Sequence, residues 1–210
     1  MKLRHAILPF ALALSLPAVA DAARGFTVQD MAYLDRYSSP TLSPDGRVLV
    51  FAKRVVNKET NKSSTSLWTR NLVTRDMRPP QQLTPDGWNV NSPAFAADGK
   101  TVYFMSAKSG SMQLYAMPIG GGEPKRLTDT AIDVDGYKLS PDGGSVALAL
   151  AVFPDCKADL GCTRKKLDEV EAAKASGKVF DRMFIRHWDA WNDGRLNRVF
   201  AAKLGGDGMI

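Results

Sequence analysis

A short sequence unit recurs three times in this chain and constrains its fold more than any other feature. The copies begin at residues 39, 92 and 136, and each combines a short strand pattern, an Asp-Gly turn and a longer apolar strand pattern. In the first copy, Asp45-Gly46 predicts a two-residue hairpin turn with both residues at positive φ. Residues 48–52 are continuously apolar, as in a strand covered on both faces. The unit therefore predicts a series of antiparallel sheets.

The spacing of the strand patterns identifies the kind of repeat. The first unit adds a polar loop at 57–66 and strands at 67–72 and 81–84. The second unit predicts strands at 94–96, 101–106, 113–118 and 125–128. The third unit predicts strands at 137–139, 145–153 and 195–206. Four short strands recurring about every 45 residues are typical of β-propeller blades.

The predicted fold class is all-β, a partial β-propeller with two complete four-stranded blades, an incomplete third and a helical insertion in blade three. The expected segments are a signal peptide at 1–23, a short N-terminal helix or lead-in at 24–35, blade one at 36–84, blade two at 85–128, blade three at 129–210 and its insertion at 154–183. Propellers close with about four to eight blades. We therefore expect the chain to be part of a longer polypeptide.

The N-terminus has the pattern of a cleaved secretory signal. A basic segment, 1–5, precedes an apolar run at 6–20 and several small residues. The alternative is a membrane anchor, but the run has 15 residues and a spanning helix needs about 20. Cleavage after Ala20 lowers the basic residues from 28 to 26, against 22 acidic ones. The signal pattern predicts a periplasmic or secreted protein without a stable membrane anchor. Because the basic residues are scattered, we expect no nucleic-acid partner.

The insertion contains both cysteines, Cys156 and Cys162. In an exported protein they can form a disulfide. A metal site is the alternative, but His187 is the only histidine left after cleavage and zinc takes four ligands. The segment 163–176 is rich in helix formers and is followed by Gly177, which predicts an exposed helix with a glycine C-cap.

Catalytic motifs are absent from the sequence. It has no G-x-S-x-G nucleophile elbow and no phosphate-binding loop, and a serine triad would have to use His187. We therefore predict no catalytic residue, no metal and no cofactor in this chain. The turn aspartates of the repeats are expected to serve turn structure alone.

The segment 186–191 is the strongest candidate for function. A continuous strand would place Arg186, Trp188 and Ala190 on one face, with the other three residues on the opposite face. One hypothesis makes it the wall of a pocket, with five substrate-binding residues: Arg186, His187, Trp188, Asp189 and Trp191. The other makes it a hydrogen-bonded cluster that anchors the insertion, with the tryptophans packed.

These motifs resemble two groups of propellers. The S-P-D-G repeats, the Leu-Trp and Leu-Tyr third strands and the closing Leu-Thr are similar to the propellers of prolyl oligopeptidase family serine peptidases and to TolB-like periplasmic propellers. The segment 184–194 is similar to the bacterial dipeptidyl-peptidase and acylaminoacyl-peptidase members of the first group.

The first resemblance implies a peptidase whose triad lies in a C-terminal α/β-hydrolase domain outside this chain. The propeller would restrict entry to short peptide substrates, and acidic residues would hold the substrate amino group in dipeptidyl branches. Asp168, Glu169 and Glu171 are acidic and lie in the insertion, but they match no family motif. The expected function is a non-catalytic propeller fragment of a secreted serine peptidase. The alternative is a TolB-like protein-interaction module.

Overall fold

The computed structural model describes residues 24–73, 78–173, 177, 179–180, 183, 186–204 and 210. The expected signal peptide lies outside these residues, as do residues 184–185 and 205–206 of the predicted motifs. Within the described part of the chain, no helix is both long and apolar enough to cross a membrane.

The lead-in forms one short helix, α1 (Val28–Tyr33). The Thr27 hydroxyl accepts a hydrogen bond from the N–H of Asp30, and the Asp30 carboxylate accepts one from the N–H of Thr27. This reciprocal arrangement is a capping box, which stabilises the start of the helix at Val28. An ion pair with Arg24 is the main cause that holds the pKa of Asp30 far below its usual range.

Two four-stranded antiparallel sheets follow, each with its strands in chain order. The first consists of β1 (Arg36–Leu42), β2 (Val48–Asn57), β3 (Lys62–Asn71) and β4 (Gln81–Gln82). The second consists of β5 (Val90–Phe95), β6 (Thr101–Ser106), β7 (Gln113–Pro118) and β8 (Lys125–Arg126). Each sheet has the strand arrangement of a propeller blade, and the all-β class is confirmed.

The rest of the chain forms a third sheet with an insertion. Its elements are β9 (Gly136–Leu139), β10 (Ser145–Val152), a 3-10 turn (Pro154–Cys156), α2 (Leu160–Ala172), β11 (Arg186–His187), β12 (Ala190–Trp191) and β13 (Leu196–Lys203). The sheet order is β13-β10-β9, and β11 and β12 pair separately with each other. In the sequence, the helix and the small hairpin therefore come between β10 and β13, which pair directly with each other in the sheet.

The largest difference from the predicted strands is in the first sheet. The polar loop predicted at 57–66 is wrong, because β2 continues to Asn57 and pairs there with Lys62, the first residue of β3. Only residues 58–61 connect the two strands. Cross-strand backbone hydrogen bonds extend this hairpin without needing apolar side chains. The first five residues of β3, Lys62 to Ser66, are all polar, so this half of the strand leaves no hydrophobic signal in the sequence.

The repeated turns differ in type from the predicted hairpin turn. The N–H of Gly46 donates to the Ser43 carbonyl at 2.8 Å, so Pro44 and Asp45 are the central residues. Of this turn only Gly46 has positive φ, at 70°. The expectation that Asp45 shares it is wrong, because the proline ring fixes φ near −65° at the first central position of a type I turn.

Serine and aspartate stabilise these turns together. The Ser43 hydroxyl donates to Asp45 Oδ1 at 2.6 Å and accepts from the N–H of Val48 at 2.9 Å. This hydroxyl is the main cause that lowers the pKa of Asp45 below its usual value. Ser140 and Asp142 repeat the arrangement in the third copy. The turn aspartates thus have structural partners, as the sequence predicts.

Two apolar cores join the three sheets. The first lies between the first and second sheets and includes Val50, Leu67, Phe104 and Tyr115. Its rings are closely packed, since Trp88 meets Tyr115 edge-on at a centroid distance of 5.2 Å.

The second core lies between the second and third sheets and includes Leu114, Leu148 and Leu150. Leu160 and Leu167 of α2 pack against it. The helix therefore contributes to the core on one side, which the prediction of an exposed surface helix missed.

Gly99 and Gly46 provide a matched test of packing between turns. Both have positive φ, 67° and 70°. A Cβ added to Gly99 would lie 3.2 Å from Cδ of Pro44, whereas one added to Gly46 would meet nothing within 4 Å. Gly46→Ala is expected to cost about 1–2 kcal/mol from backbone strain, and Gly99→Ala more, because the methyl group must also displace the proline. Urea unfolding measures both, and equal losses would contradict the contact between turns.

Candidate functional site

Residues 186–191, which we call the aromatic hairpin, contain β11 and β12. The two strands pair antiparallel and the chain reverses at Trp188 and Asp189, with φ of Trp188 at 52°. The predicted continuous strand, with His187 and Asp189 on one face, is therefore wrong. A tight turn without glycine leaves the same alternation of residue types as a strand, so the sequence did not reveal the reversal.

The aromatic hairpin presents large side chains to solvent. Trp188 is 85% exposed and Trp191 is 53% exposed. The guanidinium carbon of Arg186 lies 5.4 Å from the Trp191 ring centroid, and the Phe180 ring stacks on Trp191 at 5.8 Å. Such a surface can stack on apolar or planar groups and offer a guanidinium to a carboxylate or carbonyl oxygen.

The two sequence-based hypotheses for this segment differ in burial. Trp188 is exposed, whereas Trp191 is packed on one side by Phe180, which ties the hairpin to the residues before it. Arg186, His187 and Asp189 are all exposed side chains. The substrate-binding role of these residues stays a prediction.

A separate cleft of about 840 Å³, which we call the inner cleft, lies where the first strands of the three sheets meet. Its walls come mainly from the repeated units, with Thr41, Ser92, Tyr103 and Tyr137 among the lining residues. None of the lining residues belongs to the aromatic hairpin. The inner cleft and the aromatic hairpin are therefore distinct surfaces of the protein.

Tyr137 connects two sheets at this cleft, and sequence reasoning missed it. Its hydroxyl donates to the Ser92 carbonyl at 2.7 Å and lies 3.0 Å from the Tyr103 carbonyl. Burial raises its pKa well above the usual range, which keeps the phenol neutral and able to donate. In the repeat alignment Tyr137 stands where the earlier copies have Pro40 and Pro93. The tyrosine in place of proline is the sequence feature that could have indicated this contact between sheets.

The insertion begins with a disulfide. Cys156 and Cys162 are bonded, with Cα atoms 5.6 Å apart, and they join the 3-10 turn to the first turn of α2. The Asp159 side chain caps this helix by accepting from the N–H of Cys162. The helix therefore starts earlier than the predicted residue 163. The prediction of Gly177 as its C-cap is also wrong, because the backbone is already extended at Ala173.

Two of the three acidic candidates of the insertion, Asp168 and Glu171, interact with Arg164 within the helix. Arg164 Nε donates to Asp168 Oδ1 at 2.8 Å, and its guanidinium lies 3.7 Å from Glu171. Asp168 is the main cause that raises the pKa of Arg164. Pairs at this spacing are common on exposed helices, and a binding role for Asp168, Glu169 and Glu171 stays a prediction. Among the described residues, no group of three or more His, Cys, Asp or Glu side chains is arranged to hold a metal ion.

The chain is similar to known peptidases over most of its length. Residues 62–150 match the family described as the dipeptidyl peptidase IV (DPP IV) N-terminal region. Dipeptidyl-peptidase 5 of Porphyromonas gingivalis is 32% identical over 177 residues, which are 84% of this chain and 24% of that protein. Dipeptidyl-peptidase 5 of Porphyromonas endodontalis is 25% identical over 79% of this chain and 22% of its own length. The chain thus spans about a quarter of the length of these relatives.

A solved structure shows the same fold. The acylaminoacyl peptidase of Pyrococcus horikoshii superposes with a TM-score of 0.59 over 84% of this chain and 24% of that chain, at 13% identity. At this identity the likeness concerns the fold alone. The family match runs from β3 into β10 and contains the whole second sheet. With its repeated sheets, this chain belongs to the N-terminal propeller regions of prolyl oligopeptidase family peptidases.

Proposed function

We propose that this chain is the propeller of an exported serine peptidase of the dipeptidyl- or acylaminoacyl-peptidase type, and that it controls the access of short peptides. The observation that carries the proposal is the match of residues 62–150 to the DPP IV N-terminal region, supported by the 32% identity to a dipeptidyl-peptidase 5. The signal-like pattern of residues 1–23 supports export to the periplasm or beyond.

In this proposal the propeller binds and selects substrate, while an α/β-hydrolase domain elsewhere in the polypeptide supplies the serine nucleophile. The described residues provide two surfaces for selection. The inner cleft is lined by hydroxyl-bearing residues such as Tyr137 and by apolar residues such as Phe95 and Leu139. The aromatic hairpin offers Arg186 and two exposed tryptophans. An arginine next to exposed indole rings suits a peptide that carries a carboxylate and an apolar side chain.

The experiment that tests this function uses the complete product of the gene beside the 210-residue chain. A fluorophosphonate probe is expected to label the complete product, which releases dipeptides or acylated amino acids from chromogenic substrates. The 210-residue chain is expected to remain unlabelled. Labelling of the short chain would contradict a nucleophile outside it. An unlabelled complete product built of further sheets would favour the TolB-like interaction module instead.

The same preparation tests the aromatic hairpin. Trp188→Ala is expected to raise KM for short peptides by about tenfold with kcat retained, because an exposed indole contributes ground-state binding and no chemistry. Val170→Ala, which changes an exposed residue on α2, serves as the control and should leave KM unchanged. An unaltered KM in the Trp188 variant would remove the hairpin from the substrate site.

A further inference from the structure

The second of the three repeated turns differs from the other two by one hydroxyl group. In the first turn the Ser43 hydroxyl connects two groups, because it donates to Asp45 Oδ1 at 2.6 Å and accepts from the N–H of Val48 at 2.9 Å. In the second turn alanine, Ala96, stands at the position of this serine, while the aspartate is kept as Asp98. The second turn therefore has the carboxylate but not the hydroxyl that binds it.

The third turn shows that the position of the hydroxyl is a property of the repeat. Ser140 donates to Asp142 Oδ1 and accepts from the N–H of Ser145 at 2.9 Å. In both copies the N–H belongs to the first residue of the strand after the turn, β2 or β10. The copies on either side of the second turn thus define one place for a hydroxyl oxygen, between a carboxylate and a backbone N–H.

The second turn holds the same two groups in the same arrangement. Asp98 Oδ1 accepts from the N–H of Lys100 at 2.9 Å, just as Asp45 Oδ1 accepts from the N–H of Arg47 at 3.1 Å. Thr101 is the first residue of β6, so its N–H corresponds to the N–H that donates to serine in the other two copies. A hydroxyl from outside this turn can therefore bind where the alanine supplies none.

This position lies at the wall of the inner cleft. Four residues of the second turn and of β6 line the cleft: Ala96, Asp98, Thr101 and Tyr103. Burial is the main cause that raises the pKa of Tyr103, which keeps its phenol neutral. Apolar residues such as Phe95 and Leu139 form other parts of the wall. The cleft thus combines a place for one hydroxyl with surfaces that suit an apolar ligand.

We propose that the inner cleft binds the hydroxyl of a serine or threonine side chain in a peptide. The hydroxyl donates to Asp98 Oδ1 and accepts from the N–H of Thr101, as serine does in the other two turns. An ammonium group would suit the carboxylate, but it has no acceptor for the N–H, so a hydroxyl is the better match. The choice of a peptide as the source of the hydroxyl rests on the proposed function.

The probes are two fluorescent pentapeptides, Ala-Ala-Thr-Ala-Ala and Ala-Ala-Val-Ala-Ala, which differ by a hydroxyl in place of a methyl group. They are titrated into the complete product of the gene after treatment with the fluorophosphonate, and mass spectrometry checks that they stay intact. In fluorescence anisotropy the threonine peptide is expected to bind about fivefold to tenfold more tightly. It should also slow amide hydrogen exchange in residues 96–101.

Two alanines of the cleft wall give matched protein variants. Ala96→Ser restores the serine of the other two turns, so that the chain itself occupies the position, and the two peptides should then bind with equal affinity. Ala94→Ser adds a hydroxyl elsewhere on the wall and should keep the preference for threonine.

Three outcomes would overturn the proposal. They are no saturable binding, equal affinity of the unaltered protein for both peptides, and a preference for threonine that persists in the Ala96→Ser variant. Equal affinity would mean that solvent alone satisfies Asp98. Peptide binding requires no catalysis, so this test and the labelling test of the peptidase function can fail independently of each other.

Discussion

Replacing Phe104 with alanine is expected to lower the free energy of unfolding by about 3–5 kcal/mol. Phe104 is fully buried between the first and second sheets. Its ring stacks on Tyr115 at a centroid distance of 5.8 Å and meets Trp88 edge-on at 6.3 Å. Truncation leaves a cavity that these two large rings cannot fill without moving, so the loss should be near the upper end for a core position.

Chemical denaturation monitored by tryptophan fluorescence measures this effect. Phe26→Ala is the matched control, because Phe26 is 71% exposed and its loss should change the free energy of unfolding by less than about 0.5 kcal/mol. If the two variants lost equal stability, the core between these sheets would not have the packing described.

Replacing Gln113 with leucine should cost about 3 kcal/mol although the two side chains are similar in volume. Gln113 is fully buried, and its Oε1 accepts from the Thr128 hydroxyl at 2.7 Å and the N–H of Thr130 at 3.2 Å. Its Nε2 donates to Ser111 Oγ at 2.9 Å. Leucine leaves these groups without partners, and an unpaired buried polar group costs about 1–3 kcal/mol.

Gln82→Leu is the control for this second substitution. Gln82 also donates through Nε2, to the Thr84 carbonyl and to Asp86, but its side chain is exposed, so water replaces the lost partners. Thermal unfolding should show a clear decrease in Tm for the Gln113 variant and almost none for the Gln82 variant. Similar decreases in both would contradict the expectation that losing the buried hydrogen bonds costs more than losing the exposed ones.

The strands that could be predicted are those with apolar patterns between turn residues. The bounds of β6 and β7 are the predicted ones, 101–106 and 113–118. Both strands are largely buried, and the first follows an Asp-Gly turn, so pattern and turn chemistry agree there. The repeat of about 45 residues then extends the same sheet plan to the first unit.

What could not be predicted depends on polar contacts between segments distant in sequence or on a single backbone angle. The hydrogen bond from Tyr137 to the Ser92 carbonyl joins residues of different repeats, so no local sequence pattern predicts it. The start of α2 depends on Asp159 and on the neighbouring disulfide. In the aromatic hairpin, the positive φ of Trp188 reverses the chain at a residue type that rarely adopts it.

The tyrosine that replaces proline in the third repeat gives the repeats a fixed order. Units one and two have proline at this position, and its ring carries no group that can donate to a neighbouring carbonyl. Exchanging the third unit for a copy of the first would preserve the sheet plan but would leave the Ser92 carbonyl without its phenol donor. Units that look alike in sequence therefore cannot be exchanged freely. A gene with the units in another order would encode the same strands but would lose the hydrogen bond that links the second and third sheets.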